Sequence, residues 1–332
     1  MQASCIVTFR CNARCTMCNI WKNPTKPSEE LAPEYYEKLP DNMRINITGG
    51  EPMLRDDIDE IFKILYPKAS LLELSTNGYY TEKIVNIAEK YPKLLIRVSI
   101  EGLPAVNDRQ RGIKDGFDHA LRTMLELKKT KCKNIGFSIV ITDRNIDDLL
   151  CVYELSNYLG VELGNSVMHN SWYFHTEQNI IQDTEKAFTK EMEFIAALLQ
   201  SKRKGFKKKI KDYGRAYFNK SIAGRFRGNA GRYRPACGAL KDFFFIDPAG
   251  NVIPCNGTGE KWILGNIKDD TFQNIVSGNK ATEILKKIKE CRRDCCFIVT
   301  DRHDMARNPW KPVMWILKNK LRLFFNKPVI LN

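Results

Sequence analysis

Along this chain, short apolar runs alternate with longer stretches in which apolar residues recur every three or four positions. The runs predict strands over residues 5–9, 44–48, 71–75, 94–100, 134–141 and 161–167. The recurring stretches predict helices over 57–65, 82–90, 117–129, 147–159 and 184–200. Strands alternating with helices build a parallel sheet, because each helical crossover returns the chain to start the next strand in the same direction. Six such units within residues 1–200 predict an α/β fold, a partial (βα)6 parallel barrel open on one side. The first four strands each run into a polar or glycine-rich segment, opening respectively on Cys11, Gly49, Thr76 and Glu101. Loops that follow the strands of a parallel barrel gather on one face, where sites are built.

After residue 200 the pattern changes. Residues 201–235 carry thirteen Lys and Arg against one acid, Asp212, and account for nearly all of the chain's net charge of +14. Phe206, Tyr213, Tyr217, Phe218, Phe226 and Tyr233 are interleaved with these cations. The segment reads as a basic linker, and its charge implies a phosphate-rich partner. Residues 243–247 and 251–254 flank Pro248-Ala249-Gly250 and predict a β-hairpin in a small unit spanning 236–300. Residues 301–332 close the chain with a basic, apolar helix over 313–325. Met314, Leu317, Leu321, Phe324 and Phe325 share one of its faces, and Ile316 and Leu323 lie on a second. Such a helix is about 20 Å long, too short for a hydrocarbon core of ~30 Å. Trp310, Trp315 and the neighbouring cations suit a helix lying in a membrane interface, with packing against the barrel as the alternative.

Eleven cysteines carry the candidate chemistry. Cys11, Cys15 and Cys18 place three thiols on one loop. Soft thiolates suit iron, and three of them hold three irons of a [4Fe–4S] cluster while leaving one iron open. A zinc loop or unconnected core thiols are the plainer readings. Cys237 and Cys255 flank the predicted hairpin, which brings them together as a metal site requires, and Cys291, Cys295 and Cys296 follow. Zinc accepts such thiolates as well as iron does. Cys132 and Cys151 read as core residues. No signal peptide precedes the first strand, and reduced thiols fit a cytoplasmic protein, placed peripherally on the inner membrane face if the last helix binds there.

Taken in order, the cysteine loop, Gly49-Gly50-Glu51-Pro52, Ser99-Ile100-Glu101-Gly102 and Asn107-Asp108 with Arg111-Gly112 resemble the motifs of radical S-adenosylmethionine (SAM) enzymes. The resemblance implies that Cys11, Cys15 and Cys18 bind a [4Fe–4S] cluster whose open iron takes the amino and carboxylate groups of SAM. It implies that Gly49, Gly50, Glu51 and Pro52 hold the amino group, with Asn77, Ser99, Glu101 and Arg111 around the ribose and carboxylate. Met17 stands where an aromatic residue is usual beside the adenine, and Asn107 where a histidine is usual. The spacing from Cys237 to Cys255 resembles the opening of a SPASM or twitch extension. That implies one auxiliary [4Fe–4S] cluster on Cys237, Cys255, Cys291 and either Cys295 or Cys296. The implied enzyme abstracts hydrogen from an unactivated carbon and draws electrons from a reduced flavodoxin or ferredoxin. No catalytic side chain is assigned. The basic segment and last helix point to a phosphorylated or lipid-linked envelope precursor as substrate. The alternatives are a peptide maturase and a non-catalytic iron–sulfur module binding RNA or membrane; nucleic acid is not the expected partner.

Overall fold

The structure, a computed structural model, describes residues 1–332 except Arg234 and Gly259; the basic segment's last cation, Arg234, therefore lies outside the described residues. Among the described residues, nine strands form one sheet in the order β6-β5-β4-β3-β2-β1-β7-β8-β9. The first six are β1 (Gln2–Ile6), β2 (Arg44–Thr48), β3 (Leu71–Thr76), β4 (Leu95–Ser99), β5 (Asn134–Ile141) and β6 (Glu162–Val167). Each is parallel to its neighbour, as the alternating pattern requires. The crossovers are α1 (Ile58–Lys68), α2 (Thr81–Lys90), α3 (Pro104–Arg111) with α4 (Gly116–Lys129), α5 (Leu149–Leu159) and, after β6, α6 (Thr184–Leu199). Helix α1 shows how they dock: Ile58, Ile61, Phe62 and Leu65, spaced to share one face, are buried against the sheet while Asp59 and Glu60 occupy its first turn. On α5 the buried positions are Leu149, Val152, Tyr153 and Ser156, so Cys151 falls on the outer face. It is exposed, which corrects the expected core position, whereas Cys132 is buried as expected.

Strand β6 does not close onto β1. Instead β1 pairs in parallel with β7 (Phe243–Ile246), from Gln2 opposite Phe243 to Cys5 opposite Ile246. The predicted hairpin is formed by β7 and β8 (Asn251–Ile253), with β9 (Gly265–Asn266) beyond it, and all three extend the main sheet. At the turn, the Asp247 carboxylate accepts from the backbone N–H groups of Ala249 and Asn251, and Gly250 takes φ +92°. A side chain is strained in that conformation.

Residues 206–226, read as part of a linker, form one helix, α7 (Phe206–Phe226), packed on α6 and followed by α8 (Ala230–Tyr233). Several cations of this basic segment are paired within the protein. Arg203 pairs with buried Asp212 at 3.1 Å, Lys211 with Glu162 at 2.6 Å, and Arg215 lies 3.6 Å from Asp212. Arg225 donates to the Met168 carbonyl. Part of the expected phosphate-seeking charge therefore holds the fold together, while Lys202, Lys204, Lys207 and Lys208 stay exposed.

The remaining helices are α9 (Phe272–Ser277), α10 (Asn279–Glu290), α11 (Ile298–Arg307) and α12 (Trp310–Phe324). Pro312, Trp315 and Asn319 bury one face of α12, and Ile316 and Leu323 pack beside them. The chain end folds back over this helix: Ile330 donates its N–H to Asn319 Oδ1 and accepts at its carbonyl from Asn319 Nδ2 and Trp315 Nε1. The opposite apolar face stays exposed. Among the described residues, no helix is long and apolar enough to cross a membrane.

Candidate active site

The cysteine loop leaves β1 and is fastened from three directions. Arg14 and Thr16 donate backbone N–H groups to the carbonyls of Arg111 and Gln110, at 2.9 and 2.8 Å. Asn19 donates to the carbonyls of Phe174 and His175, and Asn179 to that of Met17. Gly50 and Glu51 donate backbone N–H groups to Thr8 and Arg10. A Cβ at Gly49 would stand 2.4 Å from the Thr8 carbonyl oxygen, and one at Gly50 2.2 Å from that of Arg10, so only glycine lets the two loops meet.

A cavity of 270 Å³ opens there, lined by Cys11, Cys15, Cys18, Met17, Gly49, Gly50, Asn77, Ser99, Glu101 and Arg111. These residues, far apart in sequence, are brought to one wall by the carboxyl ends of β1 to β4. Glu51 and Pro52 are not on that wall. The buried Glu51 carboxylate accepts from Met53 N–H, Thr76 Oγ1 and Asn77 N–H. These bonds hold the turn after β3. Asn107, the departure from histidine, accepts from Glu101 N–H at 2.8 Å and so fixes the backbone after β4.

The electrostatics of the cavity favour a zwitterionic guest. Arg111 is buried, donates Nη1 to Glu101 at 3.1 Å, and leaves its Nε–H without a partner. Such an orphaned donor is costly in a dry wall and suits a ligand carboxylate. Burial raises the Glu101 carboxyl above its usual range, against the opposing pull of Arg111. Burial pushes the Cys11 and Cys18 thiols up to about 12, so the bare loop keeps its thiols protonated and a bound metal must displace the protons. The donor set, three soft sulfurs beside a backbone cradle and a guanidinium, fits a cluster with one open iron.

The motifs did not disclose the far wall, formed by Val140, Ser166, Met168, His169 and Phe174. Ser166 to His169 end β6 or directly follow it, so the rule used for the first four strands also reaches them. His169 Nε2 is buried without a partner. Burial, then Arg225, lowers this imidazole to about 4, so at neutral pH it is uncharged. The backbone of Val167 hydrogen-bonds to this ring, and Nε2 remains an unpartnered atom of a residue that lines the cavity.

A second cavity, of 520 Å³, is lined by Cys237, Cys255, Cys291 and Cys295 together with Gly257, Phe297 and Asp301. A Cβ at Gly257 would sit 3.5 Å from the sulfurs of both Cys255 and Cys295. Cys296 points elsewhere: it is buried, and its Sγ–H donates to the Ser221 carbonyl at 3.5 Å. Adjacent residues thus face opposite ways, as the backbone dictates. The Phe297 ring, on this cavity's wall, meets His169 edge-on at 5.3 Å, so one aromatic contact separates the two cavities. Among the described residues, no three Cys, His, Asp or Glu side chains close round a single-ion site.

A parallel sheet that carries a three-thiol loop at its carboxyl edge, with a second thiol-lined chamber behind it, defines an enzyme built around iron–sulfur clusters. The comparisons identify the family. Residues 5–155 match the Radical SAM superfamily and residues 237–296 the SPASM iron–sulfur cluster-binding domain. The chain belongs to the radical SAM superfamily, with a C-terminal SPASM domain; such a protein binds a [4Fe–4S] cluster and SAM in the first part and auxiliary iron–sulfur clusters in the second. It is 28% identical over 158 residues to an Fe-coproporphyrin III synthase of Methanosarcina barkeri, covering 45% of this chain and 39% of that protein. It is 26% identical over 294 residues to the mycofactocin maturase MftC of Mycolicibacterium smegmatis, covering 86% of this chain and 71% of MftC. In fold it resembles native anSMEcpe with bound AdoMet and a Cp18Cys peptide, with a TM-score of 0.61, 19% identity and coverage of 89% and 88%.

Proposed function

We propose that this chain is a radical SAM peptide maturase, which cross-links, oxidises or epimerises a peptide substrate. The observation that carries it is the likeness to the maturase MftC, which runs through both the barrel and the auxiliary domain, across 86% of this chain. The relatives thereby favour the peptide alternative over the phosphorylated envelope precursor. The pairing of buried Arg203 and of Arg215 with Asp212, and of Lys211 with Glu162, offsets part of the charge that argued for phosphate. A tetrapyrrole substrate is the second reading, favoured by the match to the Fe-coproporphyrin III synthase, which covers 45% of this chain.

In this reading Cys11, Cys15 and Cys18 hold the first cluster, and Cys237, Cys255, Cys291 and Cys295 the auxiliary one. Cluster and SAM, when bound, supply hydrogen-atom abstraction from an unactivated carbon. The chain's own residues do the rest. Gly49 and Gly50 present backbone to the SAM methionine moiety, and Arg111 Nε receives its carboxylate while Glu101 holds the guanidinium still. Asn77 and Ser99 line the ribose side, and Met17 packs towards the adenine. His169 Nε2 accepts an N–H or O–H of the substrate, which its position beside the aromatic contact sets between the two chambers. Phe174 and Met168 cover the site and keep water away. A reduced flavodoxin- or ferredoxin-type protein serves as electron donor.

The test is 5′-deoxyadenosine formation by anaerobically reconstituted protein with SAM and reductant, offered fractionated cell extract. Stimulation by a soluble fraction that protease treatment abolishes supports a peptide. Stimulation by a lipid fraction returns the envelope precursor, and stimulation by a porphyrin-containing fraction the tetrapyrrole.

A further inference from the structure

We propose that α12, with the first turns of α7, docks this protein on an anionic lipid bilayer. The argument begins with how α12 divides its surface. At about 100° per residue, Pro312, Trp315, Ile316, Asn319 and Leu323 fall on one side and are packed on the protein. Trp310, Val313, Met314, Leu317, Leu321 and Phe324 fall on the opposite side, within an arc of about 120°. They are exposed: Met314 by 62%, Leu321 by 61% and Phe324 by 78%. A helix needs one apolar face to pack, and this one has two.

The cations sit between the two faces. Lys311, Lys318 and Arg322 follow one edge of the exposed stripe and Lys320 the other. From Met305 to the chain end there are six Lys and Arg and no acid. Lys320 is turned to the Leu199 carbonyl and Tyr213. An ordered apolar ridge bordered along one edge by long cationic side chains is the geometry in which the ridge sinks among acyl chains while those cations reach lipid phosphates.

Helix α7 extends the surface. Tyr217 stacks edge-on with Trp315, and Tyr213 accepts from Lys320 Nζ at 3.0 Å, so the two helices run antiparallel. Continuing that pairing brings Phe324 alongside the start of α7, where Phe206 and Ile210 are exposed among Lys204, Lys207 and Lys208. The sole acid of α7, Asp212, is buried and paired with Arg203. Within α7 and α12 the surface is therefore apolar and cationic, with no exposed carboxylate side chain. A second copy of the chain is a poor occupant, because a twofold contact would set these cations against themselves. The middle of α12 is anchored, too. Asn319 and Trp315 bind the returning chain at Ile330, so the ridge is presented by a fixed helix.

The experiment is flotation of the full-length, cluster-reconstituted protein with vesicles of roughly one part phosphatidylglycerol to two of phosphatidylcholine, against pure phosphatidylcholine. Brominated acyl chains report depth through quenching of Trp310. Binding to the anionic vesicles with quenching is expected, weakening as salt rises. Leu317→Glu/Leu321→Glu, at exposed positions, should weaken it at least about tenfold while leaving the circular dichroism and iron content unchanged. Lys311→Gln/Lys318→Gln should weaken it less and flatten its salt dependence. Three results would overturn the proposal: no flotation with anionic vesicles, flotation indifferent to Leu317→Glu/Leu321→Glu, or a dimer that these two substitutions dissociate.

Discussion

Single side chains decide what this site can hold. Arg111 is the sharpest case, since one of its buried donors is committed to Glu101 and another, Nε–H, is spare. Arg111→Lys keeps the charge and loses the fork, so SAM should bind about tenfold more weakly, or roughly 1.4 kcal/mol. Equilibrium dialysis of the reconstituted protein measures this, and unchanged affinity would remove Arg111 from the SAM site. At the other chamber, Cys295→Ser should cost about four irons per chain while Cys296→Ser costs none; equal losses would contradict the orientation of the pair. The cysteine pattern alone left these two residues equivalent, because spacing does not say which way consecutive side chains turn. Structure separates them through the contact of Cys296 with Ser221. Conversely, the three early cysteines and the glycine pair were legible at once, since their chemistry is local. The partners of Glu51 were not legible, because Thr76 and Asn77 come from another strand and its end.

At the scale of elements, the apolar pattern located strands well wherever pairing and hydrophobicity end together. Strands β2 and β5 fall on the predicted residues, but β1 covers Gln2–Ile6 where 5–9 was expected. The apolar run continues through Phe9, yet beyond Ile6 the chain turns its backbone to the glycine loop and leaves the ladder. Helix α7 was hidden by its charge, because cations that pair inward look like solvated ones in a sequence. Glu162 on β6 is one of their partners. Burial raises its carboxyl, but Arg97, Lys211 and Arg215 more than offset this and bring it down to about 2. A depressed folded-state value gives stability that is present above the unfolded value of about 4.5 and is lost as pH falls towards 2. Glu162→Gln should therefore destabilise the protein by about 3 kcal/mol at neutral pH. Urea melts should show that difference closing between pH 4.5 and 2; a pH-independent difference would mean that packing, not charge, is at stake. Glu191 on α6 has the opposite sign. It is fully buried, both its oxygens lack partners, and burial raises it well above 4.5. Its stability cost is absent below pH 4.5, grows as pH rises above 4.5, and levels off once pH passes the folded-state value. Glu191→Met should stabilise the protein by about 1–3 kcal/mol at neutral pH, and should bring no gain in acid.

For the molecule as a whole, the pattern disclosed the (βα)6 half and the hairpin but not their union. Nothing in a strand's sequence names its neighbour, and β7 is more than two hundred residues from β1. The union has a mechanical consequence. A chain cut after residue 236 would leave β1 an open edge beside the cysteine loop, and would lose Phe243 and Phe244 from the core. Such a fragment should be recovered mostly in the insoluble fraction, and a soluble, SAM-binding fragment would show that the barrel stands alone.

The same pairing bears on the order in which the protein can be made. Strand β1 is translated before the other described elements, yet one of its two partners is synthesised only with residues 243–246. During most of translation the loop with Cys11, Cys15 and Cys18 hangs from a half-paired strand. Its anchors at Arg111 and Asn179 arrive midway, and the last flank arrives with the hairpin that carries the second chamber. The last flank of the first metal centre is thus in place only when the chain has also supplied Cys237, the first of the second chamber's thiols.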